Sequence, residues 1–226
     1  MGEYFSWLNV DKKEYITPGN FDLGQKLYET AFAGNVFLGA LYDLLSSDWK
    51  GDFIIFFGDE TKIPEDEVNP LIRRIYEECK AWDDSCFIGD YIDAKYKCID
   101  GLYKATEVQV RKEIEYMIRE KDFSYNLFKV DPSDPYNGLF TREPKHFRYM
   151  INHSKKEFFD IENTALRYTD RDGKLNTRIN PLPLLMAYSD NHRDDGCGKW
   201  IGDSIEVSND APSADYKDMS SIYRYD

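Results

Sequence analysis

The chain has 226 residues, 42% of them apolar and 15% aromatic, with 29 Lys and Arg against 42 Asp and Glu and a net charge of −13. That is enough chain for one large or two small packed domains, and too apolar for a disordered one. A field of this sign repels phosphate backbones, so direct nucleic-acid binding is not expected; it suits solubility, a basic protein partner or mimicry of a nucleic acid.

The opening residues carry no basic stretch followed by an apolar one, and no 18-residue apolar run occurs anywhere, which predicts a cytoplasmic protein without membrane contact. Ser6 alone is a weak match to a myristoylation context. The first predicted element is a β-hairpin in "YFSWLNVDKKEYI", which alternates its side chains and breaks at Asp11, Lys12 and Lys13. A helix opened by Asn35 follows, with Val36, Phe37, Ala40, Leu41, Leu44 and Leu45 on one face. In "WKGDFIIFFGD" a turn at Gly51 and Asp52 leads into a short apolar strand. Residues 61–95 then read as an insertion with its own helix over 70–82, capped by Asn69 with Pro70 behind it. Leu71, Ile72, Ile75, Tyr76, Cys79 and Trp82 form its apolar face. A second helix is predicted at about 106–121 from Val110, Ile114, Met117 and Ile118, and "VDPSDPYNGLFTREP" reads as a linker.

The later part of the chain repeats the earlier one. Aligning Asn9 with Asn152 pairs Lys12 with Lys155, Lys13 with Lys156, Glu14 with Glu157 and Tyr15 with Phe158. A polar loop, "TDRDGKLNTRIN", leads to a second helix opened by Asn180 with Pro181 at its first position. "WIGDSIEVSND" then matches the first Trp-x-Gly-Asp segment, with Ile205 and Val207 directed inward and Ser204 and Glu206 outward. Finally "YKCIDGLYK" recurs as "YKDMSSIYR". Landmarks kept in the same order point to an internal duplication. The expected fold is α+β: two tandem β-β-α-β units packed about a pseudo-twofold, with an inserted pair of helices. The units would be 1–105 (insertion 61–95) and 147–226, joined by a helix and linker over 106–146 within one compact domain.

The Asn-Val-Asp-Lys-Lys-Glu-Tyr opening, the Trp-x-Gly-Asp segment and the later Ile-Asn-His-x-Lys-Lys-Glu resemble a group of uncharacterised bacterial and phage-borne proteins. Members begin Met-Gly-x-Tyr and carry Asn-Leu-Asp-Lys-Arg-Glu-Tyr near the front. The resemblance covers most of the chain and implies a bacterial or phage origin and nothing catalytic. This chain departs from the group in having Trp7 and Val10 at apolar positions.

Candidate chemistry is sparse. Asp52, Asp59, Asp203 and Asp210 bracket the two Trp-x-Gly-Asp strands, and on a pseudo-twofold they could converge to hold Mg²⁺ or Ca²⁺, or to split their acidities. A turn Asp bonding nearby backbone is the commoner use of that pattern. Lys12, Lys13 and Glu14 are accounted for by turn chemistry. Trp49 and Trp200 are read first as packing residues and second as partner anchors. The acidic pairs Asp83–Asp84 and Asp194–Asp195 are candidate partner contacts. Cys79, Cys86, Cys98 and Cys197 contain no C-x-x-C pair, and a reducing compartment would keep them as thiols. His146, His153 and His192 complete the candidates; Cys197 with His192 lies in one loose loop, and neither a phosphate loop nor a dinucleotide fingerprint is present. No catalytic residue and no cofactor is assigned. The leading expectation is a non-enzymatic acidic binder, immunity- or inhibitor-like, for a basic protein. The alternative is a carboxylate- or metal-dependent hydrolase using the duplicated Gly-Asp pairs.

Overall fold

The computed structural model describes residues 3–21, 23–32, 35–83, 87–103, 142, 144–164, 167–169, 176–189 and 197–221. In chain order, β1 (Phe5–Asn9) and β2 (Glu14–Ile16) form an antiparallel hairpin, followed by α1 (Val36–Ser46) and β3 (Ile54–Gly58). Next come α2 (Pro70–Trp82), α3 (Ile88–Lys95) and β4 (Lys97–Cys98). A second antiparallel hairpin, β5 (Tyr149–Asn152) and β6 (Glu157–Asp160), precedes a two-stranded ribbon of β7 (Arg167–Thr169) and β8 (Asn176–Arg178). The described chain closes with α4 (Leu182–Met186), β9 (Ala187–Tyr188), β10 (Ile205–Ser208) and β11 (Lys217–Asp218). The result is a mixed α/β structure with two mixed sheets and, among the described residues, four helices.

The first sheet has the order β4-β2-β1-β3-β9, and the second the order β10-β5-β6-β11. In each, a hairpin pairs antiparallel with the strand that follows the helix, and its second strand pairs parallel with a two-residue strand. Lys97 donates its amide to the Lys13 carbonyl at 2.8 Å, and Lys217 to the Lys156 carbonyl at 2.8 Å. The hairpin turns match as well: Lys13 and Lys156 are the described non-glycine residues with positive φ, at 53° and 51°. Asn9 and Asn152 support these turns with their side-chain oxygens, which accept the amides of Lys12 at 2.9 Å and Lys155 at 3.0 Å.

Most of the core lies between the two sheets. Phe5, Trp7 and Phe56 from the first sheet and Met150, Phe159, Ile205 and Val207 from the second meet the buried residues of α1 and α4 in one cluster. The helices cross over: α1 packs against β10, and α4 against β3. A second cluster covers the opposite face of the first sheet, where Leu8, Val10, Ile55 and Phe57 lie under Ile72 and Ile75 of α2 and Ile88 and Ile92 of α3. This explains a contrast between the strands. All of β3 is buried, so it reads as an unbroken apolar run, whereas β10 alternates between buried and half-buried residues.

Several sequence expectations change. The helix begun at Asn180 ends at Met186, because Ala187 and Tyr188 pair parallel with Phe56 and Phe57 of β3. Residues expected in the second unit therefore complete the first sheet. The polar loop at 169–180 contains β8, and Ile179 bridges to Phe32. Helix α3 was not expected, and Val36 and Trp82, placed on apolar helix faces, are 39% and 40% exposed. The predicted helix at 106–121 lies outside the described residues, as does nearly all of the linker.

Candidate functional site

The carboxylates of the two Trp-x-Gly-Asp segments, Asp52 and Asp203, act within the turns. Asp52 accepts the Asn9 side-chain amide at 2.8 Å and pairs with Lys12 at 3.1 Å; Asp203 accepts the Asn152 amide at 2.8 Å and pairs with Lys155. Each Asp amide returns to its own Trp carbonyl, Asp52 to Trp49 at 3.1 Å and Asp203 to Trp200 at 3.0 Å, around a glycine at φ 82° (Gly51) or 85° (Gly202). The indoles complete the knot, Trp49 donating to Glu14 at 2.9 Å and Trp200 to Glu157 at 3.0 Å. Each Trp-x-Gly-Asp segment thus fastens its hairpin to the following strand. With 0% and 1% exposure, neither Trp49 nor Trp200 presents its ring to a partner.

Asp59 lies at the other end of β3 from Asp52 and accepts the Tyr4 amide at 2.9 Å. Asp210, beyond β10, bonds through its backbone amide to the Ser208 hydroxyl at 3.0 Å. Among the described residues no group of three or more His, Cys, Asp or Glu side chains is placed to hold a metal ion. Asp84, Asp194, Asp195, Cys86 and His192 lie outside the described residues. Cys197 is half-buried against the larger cluster, and Cys98 is exposed. His153, opposite Val10 in the repeat alignment, sits at the surface between the Tyr216 hydroxyl (2.9 Å) and Glu206 (2.8 Å).

The remaining partner candidate, Asp83, lies at the mouth of a cleft of about 410 Å³ between α2, α3 and the segment 61–65. Its floor is formed by Thr61, Ile63, Cys79 and Ile88, all buried. Tyr76, Lys62, Lys80, Glu65 and Asp83 form its walls, and Phe87, 62% exposed, stands at the rim. Lys80 is 3.5 Å from Glu65 and lies over the Tyr76 ring at 5.7 Å. The sequence signalled one wall, through the apolar spacing of α2. The other wall, α3, carried no cap signal: its cap residue, Phe87, makes no side-chain cap bond.

The layer bearing this cleft is fixed to the first hairpin by charge. Arg74 pairs with Asp11 at 3.0 Å and donates to the Val10 carbonyl at 2.7 Å, and Lys13 pairs with Glu78 at 2.8 Å. Burial pushes the Glu78 carboxyl up, but hydrogen bonds from Lys13 and Tyr91 and the Arg74 charge outweigh it and hold Glu78 below the usual carboxylate range. The Tyr91 phenol is driven upward by burial and then by donating to Glu78 at 2.7 Å. The chain matches no protein-family model, and neither a curated protein nor a solved structure is similar to it.

Proposed function

We propose that the protein is a non-enzymatic acidic binder, immunity- or inhibitor-like, that acts on a basic protein partner. The observation that carries this reading is where the charge sits. Residues 59–95 hold eleven Asp and Glu against five Lys and Arg. Nearly half of the net charge therefore falls in a sixth of the chain, the stretch whose described residues form the cleft and carry the exposed Phe87. Such a field speeds encounter with a positive surface and makes association fall with salt. The architectural reading is that two tandem β-β-α-β units related by a pseudo-twofold form the scaffold, with α2 and α3 added on one side. It is supported by the matching Asn–Asp, Lys–Asp and Trp–Glu bonds, the paired positive-φ lysines and the two parallel two-residue strands.

The test compares wild type with a Glu60→Lys, Glu65→Lys, Asp66→Lys variant, each immobilised and exposed to bacterial lysate at low and high salt. A partner held by wild type at low salt, released by salt and missed by the variant supports the reading. Capture indifferent to both changes overturns it. So does turnover of a small ester or phosphate that is lost in Asp52→Ala or Asp203→Ala, which would establish the hydrolase instead.

A further inference from the structure

We propose that the α2–α3 cleft seats one aromatic or long aliphatic side chain of a cationic segment, with Lys or Arg on either side of that anchor resting against the carboxylates of the surrounding layer. This inference rests on the basic-partner reading above and specifies its docking point. The floor is apolar and buried at Ile63, Cys79 and Ile88, while the rim carries the exposed Phe87 ring. The Phe87 ring, 62% exposed, stands beside a floor that is apolar at Ile63, Cys79 and Ile88, and covering it removes apolar area from water. A cleft of about 410 Å³ falls in the range that holds a small organic group, so it has room for a single anchor.

Charge decides what flanks the anchor. Of the cleft's two lysines, Lys80 already has Glu65 at 3.5 Å and the Tyr76 ring beneath it. Beyond the cleft the same layer adds exposed Glu60, Asp66 and Asp90, together with Glu77, which pairs with Arg73 at 2.8 Å. An anionic segment would meet these carboxylates on its way in, and a cationic one would be drawn by them. Affinity then comes from the buried anchor, and rate and salt dependence come from the rim.

The experiment uses two fluorescein-labelled peptides, Lys-Arg-Gly-Trp-Gly-Arg-Lys and the same sequence with Ser replacing Trp, titrated with the full chain and read by anisotropy at low ionic strength. The Trp peptide is expected to bind at least tenfold tighter than its Ser twin. That advantage should disappear in Phe87→Ser, and in Tyr76→Ala, with the Ser peptide unaffected. Far-ultraviolet circular dichroism checks that both variants remain folded. Equal binding of the two peptides, or an advantage that survives both variants, overturns the cleft as docking point while leaving the charge reading in place. If neither peptide binds at low salt, both readings fall.

Discussion

At Gly51 the backbone sits at φ 82°, and a Cβ added there would meet nothing within 4 Å. Any cost of Gly51→Ala is therefore backbone strain and not a clash, and about 1–2 kcal/mol is expected from placing an L side chain in the left-handed region. Asn tolerates that region better, so Gly51→Asn should lose less. Urea midpoints of the two variants check this, and equal losses would mean that the open space is not open in solution. The opposite case is Tyr96, whose hydroxyl is buried without a hydrogen-bond partner among the described residues, in a residue 5% exposed. An unpaired buried polar group costs about 1–3 kcal/mol, so Tyr96→Phe should leave the protein as stable or up to about 1 kcal/mol more stable. A clear loss of stability in Tyr96→Phe would show that the hydroxyl does find a partner.

The helix α2 begins at Asn69, whose side-chain oxygen accepts the amides of Leu71 at 3.0 Å and Ile72 at 3.3 Å, while its amide reaches the Ile201 carbonyl at 3.1 Å. Asn69→Ala removes the cap and should cost about 1–2 kcal/mol, whereas Asn69→Ser keeps a capping oxygen and should cost less. If thermal midpoints put the two variants together, the bond to Ile201 is the larger contribution. This element was legible in the sequence because its cap, its proline and its apolar spacing are all local signals. The hairpins were legible for the same reason, since Asn9 and Asn152 each bond to turn amides only two or three residues away. β9 could not be read that way. Ala187 and Tyr188 are an ordinary continuation of a helical run, and what makes them a strand is the edge of β3, far away in the chain. α3 was missed because it spans eight residues with no side-chain cap. Of the site, one wall and Asp83 were visible, but the cavity exists only once α3 and the 61–65 segment close on α2. The carboxylates of Asp52, Asp59 and Asp203 hold separate posts, each occupied by its own turn or strand end, and Asp210 bonds to Ser208 through its backbone amide.

Across the whole molecule, the carboxylate of Asp43 joins parts of the chain that are remote in sequence. It lies in α1, buried at 3% exposure, and meets Arg142 and Lys145 at 2.6 Å each while accepting the Tyr103 hydroxyl at 2.8 Å. Burial alone would raise its pKa, but the bonds from Lys145 and Tyr103 and the Arg142 charge prevail and hold it below its ordinary value of 3.8. A depressed carboxyl contributes stability above the unfolded value, and this is lost as pH falls through the folded one. Glu78 and Asp160 are depressed in the same direction from 4.5 and 3.8. Stability should therefore decline from about pH 4.5 downward. The Tyr103 phenol runs the other way: burial and then its bond to Asp43 raise it above 10.0, so its contribution is full below pH 10 and fades as pH climbs through the folded value. Asp43→Asn keeps the shape but strips the charge, leaving Arg142 and Lys145 without their buried partner, and should cost about 3 kcal/mol at neutral pH. Its acid limb should also be shallower than that of wild type, because one depressed carboxyl no longer titrates. Denaturant unfolding of both proteins between pH 2 and 7 makes the comparison. Parallel curves would show that Asp43 carries no linkage, and that these distant segments are held together by packing alone.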